Sequence, residues 1–466
     1  MKIVQPSVCA CAAKPRPEKK EYILKQKQND RAFTQEKGGQ KTRRAEMPLF
    51  LGNAKDAAQK QPQPKQRQGE RAQVRGAADP RRGAQAFVPA QERNDRTNAD
   101  KQGKQKKFKK GGRSKNPVKI IFLGGVGEIG KNMTAIEYGN DIIIIDAGLT
   151  FPDEELPGID LVIPDISYLV ANKNKVRGLL ITHGHEDHVG GIPYLLKEIN
   201  MPVYGTKLTL ALADNKLREH RLNKVQMNTV KPGDKVKLGC FTVEFINVNH
   251  SIAGSVALCI DTPNGKIFHS GDFKIDLTPV AGEPIDLSRI AEIGREGVKL
   301  LLCESTNVER PGYTMSETVV GTTLDHLFSE NTNRRIIVAT FASNVHRLQQ
   351  IIDLAAKYRR KVALSGRSML NVVDAATKIG ELTIPEGVLI DVEKIKNYFD
   401  REIVIVSTGS QGEPMSALTR MASGEFNKVT IGPNDTIIIS ASPIPGNEKM
   451  VYKVINNLYR KGANVV

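Results

Sequence analysis

The chain has 466 residues, a formal net charge of +17, five Cys and no Trp. Its length allows more than one domain, and cysteines whose only close pair is Cys9 and Cys11 exclude a disulfide-stapled scaffold. No apolar stretch reaches membrane-spanning length, and the first twenty residues lack a hydrophobic core followed by a small-residue cleavage site, so the sequence reads as cytoplasmic, with no membrane partner.

The charge is concentrated at one end. Residues 1–117 hold 30 Lys+Arg against 11 Asp+Glu, whereas residues 118–466 hold 38 against 40. The first segment is rich in Gln, Lys, Arg, Ala and Gly and has no sustained apolar period, so it cannot bury enough surface to offset its ordering entropy. It reads as a disordered basic extension. Such a polycation adds salt-sensitive, sequence-independent affinity for nucleic-acid phosphates or acidic surfaces; a merely solubilising tail is the alternative.

From residue 118 the texture changes to short β-rich runs: 118–123, 132–138 and 141–145, the last two joined by a Gly139-Asn140 turn, with Asp146 closing the third. Residues 176–181 read as a buried strand leading into a ligand-rich loop, and 194–199 as the start of a helix. Further strands are predicted at 203–204, 235–238, 241–248, 256–260, 267–269 and 298–303. After about residue 316 strands and helices alternate: strand 335–339, helix 345–358, strand 361–364, a helix from Met369, strand 403–406, helix 415–421, strand 436–439 and a helix over 450–458. That alternation implies a second domain with a parallel sheet covered by helices. There is no solenoid repeat.

Residues 125–130 (GVGEIG) match a dinucleotide-binding fingerprint, with Asp146 at a suitable distance. Phosphate binding there needs a helix opening at the glycines. A hairpin is predicted instead, which disfavours NAD. The stretch His183-Gly184-His185-Glu186-Asp187-His188 gathers three of the eight histidines and two carboxylates in six residues. On one ideal helix these side chains would diverge, so a strand-to-helix loop that turns several inward is expected. Imidazole and carboxylate without thiolate suit zinc or manganese in a hydrolytic site better than a structural zinc staple. The competing reading is a solvated polar loop. His250 and Asp272 each end a β-rich run where a ligand would be held rigidly.

The ordered set of Asp146, the HxHxDH hexapeptide, His250 and Asp272 resembles the metallo-β-lactamase superfamily. The resemblance implies that His183, His185 and His250 hold one Zn2+, that Asp187 and His188 hold a second, that Asp272 bridges them and that Asp146 orients the ligand loop. Asp187, His188 and Asp272 are the implied catalytic positions. Two such metals, zinc with manganese as substitute, would suit a phosphodiester, since they can activate a water and clamp a phosphate.

A closer resemblance is to the β-CASP nucleases, and among them the ribonuclease J group. It rests on residues 123–132 (LGGVGEIGKN), 158–165 (GIDLVIPD), 304–307 (ESTN), 340–350 (TFASNVHRLQQ), 366–368 (GRS), 408–414 (TGSQGEP) and 442–446 (SPIPG), and runs from about residue 118 to the end. It implies an α/β fold in which a metallo-β-lactamase αββα domain (118–316) precedes a β-CASP domain (317–466). It also implies hydrolysis of RNA, 5′ to 3′ from monophosphate ends and internally, in RNA maturation and decay. Ser343, Asn344 and Val345 would contact RNA, Glu304 would occupy a β-CASP acidic position, and Gly158 with Asp160 would hold a secondary divalent ion, a structural Ca2+. Partners implied are RNA, a second or further copies of the chain in a dimer or tetramer, and RNA-decay machinery. From the residues themselves, Arg367 and Ser368 at a strand-to-helix turn offer a guanidinium, a hydroxyl and helix amides to an anion, although ordinary turns look the same.

The family's later motifs, a His-x-Ser-Gly-His segment and another His for the second metal, have no counterpart, since no His follows His346. The expectation is a C-terminally truncated member with an incomplete metallo-β-lactamase domain that cleaves RNA poorly. Two other readings stand beside the nuclease: a small-molecule metallo-hydrolase of the thioesterase kind, which the large second domain disfavours, and a non-catalytic RNA-binding remnant.

Overall fold

A computed structural model describes residues 116–152, 156–444 and 446–466. The predicted disordered basic extension lies outside the described residues, apart from 116 and 117.

The first sheet takes its six strands in chain order: β1 (Lys119–Gly124), β2 (Met133–Tyr138), β3 (Asp141–Ile145), β4 (Val176–Leu180), β5 (Val203–Gly205) and β6 (Met227–Thr229). The first three are antiparallel, and Tyr138 pairs with Asp141 across a two-residue turn in which Gly139 takes φ 59°. From β3 onward the strands are parallel. Four consecutive isoleucines in β3 show why it is central: Ile142 and Ile144 face one apolar cluster, Ile143 and Ile145 the other.

The second sheet has the order β11-β10-β9-β8-β7, from β7 (Lys235–Leu238), β8 (Phe241–Asn247), β9 (Val256–Thr262), β10 (Gly265–His269) and β11 (Val298–Leu302). Phe241, Val243, Phe245, Val256 and Leu258 pack against Ile143, Ile145 and Leu180 of the first sheet. Helices α1 (Ser167–Ala171), α2 (Glu186–Val189), α3 (Ile192–Glu198) and α4 (Lys207–Glu219) belong to the first sheet, and α5 (Leu287–Glu296) covers the second. The result is a helix-sheet-sheet-helix sandwich.

The third sheet is all parallel, ordered β14-β13-β15-β12-β16-β17, with β12 (Arg335–Ala339), β13 (Lys361–Ser365), β14 (Leu389–Ile390), β15 (Ile403–Ser407), β16 (Asp435–Ile439) and β17 (Asn464–Val465). Helices α6 (Glu317–Glu330), α7 (Val345–Lys357) and α8 (Arg367–Lys378) cover one face, while α9 (Ala417–Ser423) and α10 (Glu448–Arg460) cover the other. Because helices after β12 and β13 lie on one face and those after β15 and β16 on the other, the carboxyl ends of the central strands frame a switch-point crevice. The two parts of the chain meet through α4: its Leu208 and Leu212, with Ile252 and Ala253, join the apolar cluster of α7 and α8, and Lys207 Nζ donates to the Ile379 carbonyl at 2.6 Å.

The predicted strands are observed within a few residues, while β6 and β14 were not among them. Helices α1, α4, α5 and α6 go beyond the elements read from sequence. Asp187 and His188, expected on a loop, sit on the single turn of α2.

Candidate metal centre

Asp146 closes β3 in a left-handed conformation, φ 59°, which fixes its carboxylate under the end of β4. Oδ1 accepts the Thr182 N–H at 2.8 Å; Oδ2 accepts the Thr182 hydroxyl at 2.8 Å and the His188 Nδ1–H at 2.8 Å. By accepting this hydrogen bond Asp146 holds the proton on Nδ1, the tautomer in which the Nε2 lone pair of neutral His188 faces the site. The loop itself is pinned by the buried run Leu179-Leu180-Ile181 before it and by α2 after it.

Six side chains converge at this loop. His183 Nε2 and His250 Nε2 lie 3.0 and 3.1 Å from His185 Nδ1. His183, His185 and His250 form one group whose ligand atoms lie within 4.8 Å of one another; His183, His188 and Asp272 form a second. Asp272 Oδ2 stands 3.6 Å from His188 Nε2 and 3.8 Å from His250 Nε2, between the two groups. Asp187 Oδ2 is 3.5 Å from His188 Nε2. Tetrahedral metal–nitrogen bonds of about 2.0–2.1 Å imply ligand atoms about 3.3 Å apart, so the imidazole trio fits a zinc-sized ion with small adjustment.

The electrostatics of the imidazole trio match a ligand set. Burial pushes the His185 imidazole down to about 4 and that of His250 down to about 3. Burial and three neighbouring imidazoles hold His183 well below its ordinary range. All three are therefore neutral at pH 7, the state in which imidazole binds metal. At His188 burial also opposes charge, but the Asp146 and Asp187 carboxylates outweigh it and raise the pKa well above the ordinary value. Burial raises Asp272, yet the hydrogen bond and charge of His188, with His250 and His185, hold it well below the carboxylate range.

Backbone fixes the downstream ligands. The segment after β8 carries Asn249, which bridges antiparallel to Lys274, so His250 and Asp272 lie on the two paired segments at the same end of that bridge. Gly271 makes the turn before Asp272 with φ 57°, where a Cβ would come 2.9 Å from the Val256 carbonyl. A cleft of about 290 Å³ opens beside the site, and its lining includes Asp146, His188, Asp272 and Glu304 together with Phe122, Val126 and Leu301.

Two residues that sequence reasoning did not assign as site residues complete the arrangement. Asn132 Nδ2 lies 3.2 Å from the Asp187 carbonyl, 3.2 Å from Asp187 Oδ2 and 3.1 Å from His188 Nε2. Thr182 spans Asp146 and His183, its hydroxyl 3.0 Å from His183 Nδ1. The only signal for Asn132 was its place at the end of the glycine-rich segment.

The remaining predicted positions are spread over the second domain and one loop. Asn344 is buried and caps α7, its side chain accepting the Arg347 N–H, and Val345 is fully buried in the core, while Ser343 is half-buried. Arg367 and Ser368 are exposed at the first turn of α8. Glu304 accepts the Thr306 N–H and receives no metal-group neighbour beyond the shared cleft. Gly158 and Asp160 are exposed, and Asp160 joins no group of three ligating side chains among the described residues.

Comparison with known proteins agrees with this architecture. Residues 126–289 match the metallo-beta-lactamase superfamily. Residues 333–458 match the beta-CASP domain of ribonuclease J. The chain is 47% identical over 352 residues to ribonuclease J of Synechocystis sp., covering 75% of this chain and 55% of that protein. It is 47% identical over 352 residues to ribonuclease J 1 of Streptococcus pyogenes, covering 75% and 62%, and 45% identical over 357 residues to ribonuclease J of Thermus thermophilus, covering 75% and 62%. A crystal structure of a protein of unknown function from Enterococcus faecalis shares the fold, with TM-score 0.52 at 17% identity over 75% of this chain and 87% of that one. Fold and site together define a metallo-β-lactamase domain joined to a β-CASP domain. More narrowly, the chain belongs to the ribonuclease J family. It spans between half and two thirds of the length of the relatives it matches.

Proposed function

We propose that this chain is a metal-dependent ribonuclease that hydrolyses RNA phosphodiester bonds, 5′ to 3′ from monophosphate ends and also internally. The observation that carries this reading is the pair of ligand groups sharing His183, with Asp272 between them. Two divalent ions, zinc or manganese, would supply Lewis acidity and lower the pKa of the attacking water.

The chain's own residues do the positioning. Asp146 keeps the His188 Nδ1 proton, so Nε2 faces inward, and Asn132 restrains Asp187. His183, His185 and His250, neutral through burial, bind without first losing a proton. The cleft beside Asp272 and Glu304 admits the RNA backbone, with the exposed Phe122, Val126 and Leu301 offering apolar surface in its lining. Across the crevice, Arg367 and Ser368 present a guanidinium, a hydroxyl and helix amides to a terminal phosphate. Asn344 and Val345, whose side chains are committed to the cap and the core, would meet RNA through their backbone.

Incubation with 5′-monophosphorylated RNA under zinc or manganese tests this. The unaltered chain should release nucleotides and Asp187→Ala should not. No product from the unaltered chain with metal bound at both groups would reject the nuclease.

A further inference from the structure

A second surface, remote in sequence from the metal ligands, has the chemistry of a polynucleotide track. α10 buries Val451, Val454 and Leu458 against the third sheet and turns its other side outward. That outer side carries Lys449, Tyr452, Lys453, Asn456, Tyr459 and Arg460, and a shallow groove of about 440 Å³ runs along it with no acidic residue in its lining.

Three observations distinguish it from an ordinary solvated helix face. Tyr452 and Tyr459 are 61% and 57% exposed, an unusual outlay of aromatic surface where the core needs none. Being seven residues apart they share one side of the helix, about 10 Å from each other along its axis. None of Lys449, Lys453 and Arg460 is ion-paired among the described residues, so three cations that line one groove all keep their charge open to a phosphate. The one acid at this end, Glu448, is turned to the Gly446 N–H.

We infer that the outer face of α10 binds single-stranded nucleic acid, with the three cations following phosphates and the two tyrosines stacking on bases. An acidic protein would satisfy the cations but not the spaced, exposed rings, which is why a polynucleotide is favoured. The helix begins beside the crevice, where Gln411 holds the Ile444 N–H at 2.7 Å, so a strand lying along the carboxyl ends of the sheet can continue onto it. This inference does not depend on hydrolysis, and either can fail without the other.

The test is fluorescence anisotropy of a labelled oligouridylate with the full chain, in chelator so that nothing is cleaved, over a series of salt concentrations. Tyr452→Ala/Tyr459→Ala should weaken binding about thirtyfold or more. Lys449→Glu/Lys453→Glu/Arg460→Glu should flatten the slope of log affinity against log salt by about 2. Both leave the buried side of α10 intact, and matching circular dichroism spectra establish folding. Unchanged affinity in both variants, or a loss confined to the charge reversal, overturns the proposal. So does a change in oligomeric state at unchanged oligonucleotide affinity, which would make the face a protein interface.

Discussion

Asn132→Ala should loosen the acidic half of the metal centre while leaving the sandwich folded. The amide removed sits 3.1–3.2 Å from three atoms of Asp187 and His188, and no other side chain among the described residues reaches both. A hydrogen bond to a group as solvent-accessible as Asp187 contributes about 0.5–1.5 kcal/mol net, and loss of a group that orients ligands typically lowers metal affinity about 10–100-fold. The backbone survives the change: Asn132 N–H still donates to the Asp187 carbonyl at 3.0 Å, and Gly148 N–H to the Asn132 carbonyl at 2.9 Å. Metal-free stability should therefore fall by only about 1 kcal/mol. Zinc titration by calorimetry, beside thermal unfolding of the metal-free protein, separates the two effects. Asn132→Asp should be worse than Ala, because it sets a second carboxylate beside Asp187. Wild-type affinity for both ions in Asn132→Ala refutes the reasoning, as does a stability loss large enough to account for the weakened binding.

Other substitutions probe the frame around the site. Gly148→Ala would place a Cβ 1.6 Å from the Asp187 carbonyl, so α2 must move; a stability loss of about 3 kcal/mol or more in urea, with reduced metal stoichiometry, is expected. Glu317→Ala strips the nearly buried Arg347 of its paired carboxylate and leaves Lys274 with Asp276 alone, which should cost about 3 kcal/mol in urea unfolding. Glu244 is held below its ordinary pKa by the Arg289 guanidinium, against the effect of burial and with help from Lys235. The advantage of Glu244 over Gln should then be full above about pH 5 and vanish as pH falls through the depressed folded pKa, measured as the difference in Tm between wild type and Glu244→Gln. A chelator should lower the Tm of the metal-loaded wild type by more than that of Asp272→Ala, which keeps the imidazole trio but loses a ligand of the second group and with it the stability that a second ion adds.

How much was legible depended on whether a residue's role is local. The hexapeptide could be read because its ligands are contiguous, and Asp146 because it closes a strand whose four isoleucines announce a central position. The α4 helix was harder. Leu210, Ala213 and Leu217 face the first sheet, while Leu208 and Leu212 face the second domain. Burial on two sides removes the single apolar stripe by which an amphipathic helix is recognised. Asn132 and Thr182 were invisible for another reason: their partners are 55 and 36 residues away, and nothing in a single polar side chain announces a contact that the fold alone creates.

The glycine-rich segment before Asn132 shows how one sequence pattern serves different ends. In a dinucleotide site the glycines bring backbone amides to a phosphate at the start of a helix. Here Gly125, Gly127 and Gly130 also take positive φ, as does Lys131, but the segment runs straight into β2, not into a helix. The Gly125 N–H, which a phosphate would need, is occupied by Glu128 Oε1 at 3.2 Å, and Glu128 is itself paired with Lys131. With one amide taken by its own carboxylate and no helix opening at the glycines, the loop lacks the helix N-terminus on which that phosphate site depends. Its conformational freedom is used instead to fold the chain back so that Asn132 meets α2, and the loop that imitates a nucleotide fingerprint becomes the brace for Asp187 and His188.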